Sequence, residues 1–229
     1  ASFKCLCFVL MWAMQSRFDP KAKGRGALTN PHNRYEAFER EGFDDGWDID
    51  DERGVLRTEV RDEPVGKVIT ENRSPDIPFD RSINPYRGCE HGCIYCYARP
   101  SHSYLGYSAG LEFETKLIAR MNSAEALEKA FRAKNYVPKV ICIGSNTDPY
   151  QPIEKDRLVT RALLEVFRAY RHPVAVLTKG SLIERDIDIL ADLARDNLVR
   201  VGVSVTTLDP KVSRVMEPRV PMPERRMKT

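Results

Sequence analysis

From Asn122 onward the chain repeats one unit, a short apolar strand, a polar loop and an amphipathic helix, and this alternation limits its possible folds more than any other feature. The first helix is expected over Asn122–Lys134 (NSAEALEKAFRAK), with Ala124, Leu127 and Phe131 on one face and with Asn122 and Glu125 suited to its N-terminal cap. Lys139–Ile143 (KVICI) reads as a strand; the loop GSNTDPYQP follows, and Leu158, Val159, Ala162, Leu163, Val166 and Phe167 then trace a helical stripe. Val174–Leu177 is the next strand, and Ser181 and Glu184 have capping-box spacing ahead of a stripe of Ile187, Leu190 and Leu193. Val199–Val205 gives another strand before Asp209 and Pro210, a cap and first helical residue. An extended segment near Ser82–Tyr86 makes four strands. Such alternation indicates an α/β fold with a parallel sheet and right-handed crossovers, either doubly wound or part of a (β/α) barrel. Chemistry in such folds gathers at the C-terminal ends of the strands. Here those ends carry a cysteine loop, Ser145–Asp148, Thr178 with Lys179, and Ser204 with Thr206.

Composition narrows the class further. With 42% hydrophobic and 30% charged residues the chain is neither mostly membrane-embedded nor fully disordered. Its net charge of +3 is too small to argue for a nucleic-acid partner. Six cysteines, three of them between Cys89 and Cys96, do not form the framework of a small secreted scaffold. Metal chemistry in a reducing compartment fits better, and a cytoplasmic location with no membrane association is expected. The apolar run Cys5–Met14 (CLCFVLMWAM) is too short to span a bilayer and lacks the flanks of a secretory signal. Residues 1–13, with Cys5 and Cys7, are expected to be a non-native upstream segment ahead of a start at Met11 or Met14. Residues 14–75 read as a partly disordered arm, basic over Arg17–Arg34 and acidic over Glu36–Pro64. Residues 76–229 form the core. A complete barrel takes about 250 residues, so this core is expected to be truncated, with an edge strand that leaves the chain prone to aggregation or inactive.

The segment Tyr86–Pro100, YRGCEHGCIYCYARP, places Cys89, Cys93 and Cys96 at C-x3-C-x2-C spacing. Iron–sulfur cubanes normally take four thiolates, so three would leave one iron open to an outside donor. Zinc would need a fourth ligand, for which His91, His102 or Cys142 are candidates, although paired C-x2-C knuckles are absent. A disulfide would leave one of the three cysteines unpaired.

This motif, with Tyr95 just before its last cysteine, resembles the signature of the radical S-adenosylmethionine (SAM) enzymes. Segments GRGALTNPHNRYE, SPDIPFDRSINPYRGCEHGCIYCYARPSHSYLGYSAGLEFETK, GSNTDPYQPIE, LTKGSLIERDIDIL and SVTTLDPKVSRVMEP resemble bacterial DNA-repair-photolyase-like members, relatives of spore photoproduct lyase; coverage runs from Gly24 to Arg226. The resemblance implies a partial (β/α) barrel of the radical SAM type and a [4Fe-4S] cluster on Cys89, Cys93 and Cys96. It implies SAM chelated to the fourth iron, an electron donor such as a flavodoxin or ferredoxin, and lyase- or transferase-like chemistry through a 5′-deoxyadenosyl radical. It places Tyr95 beside the adenine and Gly144, Ser145, Asn146 and Asp148 where the family has a glycine-rich motif, although GSNTD departs from the common GGE form. Lys179 and Ser204 match SAM-contacting positions, and Glu217 and Arg219 follow the fourth strand toward the site. Tyr95 and Tyr97 match a tyrosine pair of the lyase's radical relay. The lyase's hydrogen-donating cysteine matches Ser145 here, with Cys142 three residues earlier, so the substrate stays open. Nucleic acid is one candidate, through the basic arm. A zinc-stabilised binding module and a non-catalytic iron–sulfur electron carrier are the alternatives.

Overall fold

The computed structural model describes residues 24–36 and 56–229. The apolar run at residues 5–14 and most of the acidic stretch lie outside them. Eight strands are present among the described residues: β1 (Glu59–Asp62), β2 (Thr70–Glu71), β3 (Arg81–Ile83), β4 (Tyr86–Arg87), β5 (Lys116–Ala119), β6 (Ile141–Ile143), β7 (Val174–Thr178) and β8 (Val199–Val203). The larger sheet has the order β2-β3-β6-β7-β8, with β3, β6, β7 and β8 parallel and β2 antiparallel at one edge. The four expected strands are these parallel ones. Where a partial barrel is expected, the described residues form an open sheet with β2 and β8 at its edges and no closed barrel.

The chain leaves the large sheet at Asn84–Pro85, and β4 joins β5 and β1 in a three-stranded sheet. Pro85 lacks the N–H needed to continue the ladder. Asn84 ties this exit to the β6 loop, its Oδ1 accepting the backbone N–H groups of Asn146 (2.9 Å) and Thr147 (3.3 Å). The cysteines follow β4 directly, so they emerge at the C-terminal rim of the parallel strands.

Helices α1 (Glu112–Thr115), α2 (Ser123–Phe131), α3 (Glu154–Arg157), α4 (Val159–Ala169), α5 (Ile187–Arg195), α6 (Pro210–Met216) and α7 (Pro223–Lys228) complete the fold. Helix α4 packs between α2 and α5. Leu127, Leu163, Phe167, Ile189 and Leu193 from these helices meet Ile83, Ile141, Ile143, Val174 and Val176 from the strands in one core. Alternate strand residues lie on the opposite face, where Leu177 reaches the rim cavity described below. Among the described residues no helix is long and apolar enough to cross a membrane.

Tertiary contacts override several local signals. Asn122 does not cap α2; its amide exchanges hydrogen bonds with the backbone of Val65 (2.6 and 3.2 Å). Ser181 and Glu184 form no capping box, since Ser181–Asp186 is a 3₁₀ turn and Glu184 pairs with Arg225 at 2.6 Å. Leu158 is exposed in a left-handed conformation (φ 56°) between α3 and α4. The buried Glu154 carboxylate takes over as cap of α4, accepting Thr160 N–H (2.9 Å) and Arg161 N–H (3.2 Å). Asp209 does cap α6, its Oδ1 accepting Lys211 and Val212 N–H at 2.7 and 3.2 Å. Of the arm, residues 24–36 and 56–75 are described, and they lie against the core.

His172 closes an aromatic cluster beneath α2 and α4, stacked on Phe131 at 4.2 Å, with Tyr136 Oη 2.7 Å from its Nε2 and Pro173 O 2.9 Å from its Nδ1. The carbonyl requires Nδ1 to carry a proton, which leaves Nε2 to accept from Tyr136 in the neutral ring. Burial holds its pKa below the ordinary 6.5. The unfolded chain therefore binds the proton first, and stability falls as pH drops below about 6.5. Thermal unfolding midpoints measured from pH 7.5 to 5 are expected to decline, and His172→Phe is expected to make that decline shallower; an unchanged slope contradicts the assignment.

Candidate active site

The cysteine loop starts one residue after β4, and its turns use Gly88 and Gly92 at φ +75° and +67°, a region where a side chain is strained. Cys89 and Cys93 are buried and Cys96 is half-buried. All three thiols line one cavity of about 200 Å³ at the C-terminal rim of the sheet. The seven positions expected to contact SAM line the same cavity. Tyr95 comes from the loop, Gly144, Ser145, Asn146 and Asp148 from the turn after β6, Lys179 from the end of β7 and Ser204 from the end of β8. Gly144 has φ +92°, and a Cβ there would lie 2.2 Å from Leu177 O, so only glycine lets the two strand ends close up.

Three acidic side chains brace this loop from different sides. Asp148 accepts Tyr150 N–H (2.9 Å), Thr178 Oγ–H (2.6 Å) and Lys179 N–H (2.6 Å), and lies 3.3 Å from His91 Nδ1 without the alignment of a hydrogen bond. Burial alone would raise its carboxyl, but His91, Thr178 and Lys179 outweigh that and hold it below the ordinary carboxylate range. Its oxygens are thereby committed to the scaffold, although the residue borders the cavity. Glu114, fully buried, accepts Gly26 N–H (3.0 Å), Ala27 N–H (2.8 Å) and Arg99 (2.5 Å), and Arg99 also donates to Cys93 O (3.0 Å).

Glu217 completes the set. Its buried carboxylate accepts Thr206 Oγ–H (2.7 Å), Arg226 (2.7 Å) and the Tyr95 phenol, with Lys179 Nζ at 3.5 Å. Lys179 also donates to Ser204 Oγ at 2.6 Å and lies 5.7 Å from the centre of the Tyr95 ring. Opposing forces keep the Glu217 carboxyl low: burial raises it, and Tyr95, Thr206 and Arg226 more than compensate. The Tyr95 phenol is raised by burial and by Glu217. Burial, then Glu217, pushes the Cys93 thiol up to about 12, and burial, then Asp148, raises Cys89 well above its ordinary value.

Behind Glu217, the segment joining α6 to α7 lies along the loop, with Ile94 N–H donating to Met216 O (3.0 Å) and Arg219 N–H to His91 O (3.3 Å). Arg219 thus faces the loop's outer side, where its guanidinium reaches Glu90 at 3.1 Å. Glu114, Arg99 and Arg226 were not singled out from the sequence, since each acts through partners distant along the chain.

The remaining candidates separate. Cys142 is buried within β6 and does not border the cavity. Tyr95 and Tyr97 flank the cavity on opposite rims, Tyr97 donating to Ser145 O while Tyr95 turns to Thr206 and Glu217. His102 is wedged between Tyr107 and Phe113, with ring centres 5.1 and 5.5 Å away. Among the described residues no three Cys, His, Asp or Glu side chains converge on a point as a single metal ion requires.

A family model described as the radical SAM superfamily matches residues 83–229. An uncharacterized protein of Mycobacterium tuberculosis is 36% identical over 151 residues, covering 66% of this chain and 44% of that protein. An uncharacterized protein of Methanocaldococcus jannaschii is 29% identical over 146 residues, covering 63% of this chain and 51% of its own. The chain thus spans about half the length of the curated relatives it matches. No solved structure matches it.

The Glu217–Arg226 pair is fully buried on both sides, so removing one partner strands the other. Arg226→Leu is expected to lower the unfolding free energy by about 3–5 kcal/mol. Arg195→Leu, which removes an exposed partner of Asp192, is expected to change it by less than about 1 kcal/mol. Equal effects in denaturant titrations contradict the bracing role of Glu217.

Proposed function

Because the chain belongs to the radical SAM superfamily, we propose that it is a radical SAM enzyme whose Cys89, Cys93 and Cys96 hold a [4Fe-4S] cluster and leave the fourth iron to SAM. The observation that carries this reading is the convergence of three thiols and a polar rim on one cavity. The donor set fits such a group in kind, since the three cysteines line one cavity and thiolates are the ligands an iron–sulfur cluster takes. An electron carrier has no need for a ligand-sized cavity beside the thiols.

A cluster held by Cys89, Cys93 and Cys96 would supply one-electron chemistry to the SAM sulfonium, whose carbon–sulfur cleavage would yield methionine and a 5′-deoxyadenosyl radical able to take a hydrogen atom from substrate. A one-electron donor of the flavodoxin or ferredoxin class would supply that electron. The chain's own residues bind, orient and shield. Lys179 offers a cation and Ser204 a hydroxyl at one rim, suited to the carboxylate and amino groups of SAM, and Asn146 offers an amide at the opposite rim. Gly144 lets a ligand approach the backbone closely. The Tyr95 ring, held by Glu217 and Thr206 at the cavity, would offer an aromatic face to an adenine. Asp148 positions the end of β7 and takes no ligand role. The relation to spore photoproduct lyase is supported by Tyr95 and Tyr97 on the two rims, while Ser145 stands where the lyase has its cysteine. The reading therefore ends at hydrogen abstraction and assigns no dimer repair.

Anaerobic reconstitution with iron and sulfide, followed by reduction in the presence of SAM, is expected to release 5′-deoxyadenosine. Cys93→Ala is expected to abolish both cluster and product. Lys179→Met is expected to keep the iron and weaken SAM binding roughly tenfold or more, the loss of one charge-assisted contact. Stoichiometric zinc without iron uptake, or iron without any 5′-deoxyadenosine, contradicts the reading.

A further inference from the structure

We infer that Gly24–Asn33 is a fixed wall of the cysteine loop, and that Glu114 and Arg99 are positioning residues that hold Cys93 in place through it. The segment is zipped onto residues 103–114 along its length. Arg25 donates to Glu114 O (2.9 Å), Leu111 N–H to Thr29 O (3.1 Å), Glu112 N–H to Asn30 Oδ1 (2.8 Å), Ser108 Oγ–H to Pro31 O (2.7 Å) and Asn33 Nδ2 to Ser103 O (3.0 Å). At two points the backbones touch so closely that only glycine fits. A Cβ on Gly26 would lie 1.7 Å from Gly92 O, and one on Gly110 would lie 2.0 Å from Thr29 O.

The chemistry runs in one line from this segment to the cysteine. Two successive N–H groups, of Gly26 and Ala27, and the Arg99 guanidinium satisfy the Glu114 carboxylate, and the same guanidinium grips the Cys93 carbonyl through Nε (3.3 Å) and Nη2 (3.0 Å). A carboxylate with no solvent exposure needs all of these donors. If the segment lifts, Glu114 keeps only Arg99, water reaches Gly92, and the Arg99–Cys93 grip loosens. The neighbouring Arg25 reinforces the wall by donating to Leu56 O (3.3 Å) and Thr58 Oγ (3.1 Å).

The test compares metal-free full chains carrying Gly26→Val or Glu114→Gln with the unaltered protein. Iodoacetamide labelling of each cysteine is followed by peptide mass analysis. Cys142, buried in the main sheet, reports global opening. Gly26→Val is expected to raise the Cys93 labelling rate at least tenfold relative to Cys142. Glu114→Gln, which keeps one acceptor oxygen and sets an NH2 donor in place of the other, is expected to raise it less, since the remaining hydrogen bonds of the wall stay in place. An unchanged ratio in both variants overturns the inference, and so does a parallel rise at Cys93 and Cys142. Arg99→Lys keeps the charge and loses the two-pronged grip. In reconstituted protein it is expected to alter the EPR line shape of the reduced cluster at full iron content, and an identical spectrum contradicts the positioning role. That last arm rests on the radical SAM reading, whereas the labelling arm does not. Failure of the unaltered protein to take up iron would count against that reading and leave the labelling result standing.

Discussion

Three acidic side chains hold the cysteine loop, and the rest of the site depends on their being neutralised without ligand. Glu114 and Glu217 have no solvent exposure and Asp148 is 9% exposed. Left bare, any of them would repel an anionic thiolate cluster and carry a large desolvation cost. Each is instead saturated by donors from distant parts of the chain, so its role is to fix geometry. Glu114 ties the N-terminal segment to Cys93, Asp148 ties the ends of β6 and β7 to His91, and Glu217 ties the α6–α7 junction to Tyr95 and Lys179.

This arrangement links fold to chemistry. The parallel sheet supplies the rim, and the exit of the chain at Asn84–Pro85 delivers the cysteines to it. A cavity then lies between the cysteine loop and strand ends that carry Lys179 and Ser204. Rigid surroundings would suit the proposed radical chemistry, since a loosely held site admits water and side reactions.

Much of this was legible because it is local. The C-x3-C-x2-C spacing sits in eight residues, and the parallel strands follow from apolar runs broken by helical stripes; residues at their C-terminal ends then converge by topology alone. What was not legible depends on long-range partners. Gly26 meets Gly92, Glu114 meets Ala27 across 87 positions, and Arg226 finds Glu217 inside the protein. No periodicity marks these contacts. Asn122 and the Ser181–Glu184 pair show the converse, local capping signals overridden by tertiary partners. The segment around Gly24–Asn33 read as part of a partly disordered arm, yet it is fastened by backbone and amide hydrogen bonds, which hydropathy does not register.

The most direct measurement is the low-temperature EPR spectrum of the anaerobically reconstituted, chemically reduced chain before and after SAM is added. The account predicts a signal of one reduced [4Fe-4S] cluster per chain whose g-values shift on SAM addition, because the open iron gains ligands. A spectrum indifferent to SAM, or no cluster signal with all three cysteines intact, would contradict it.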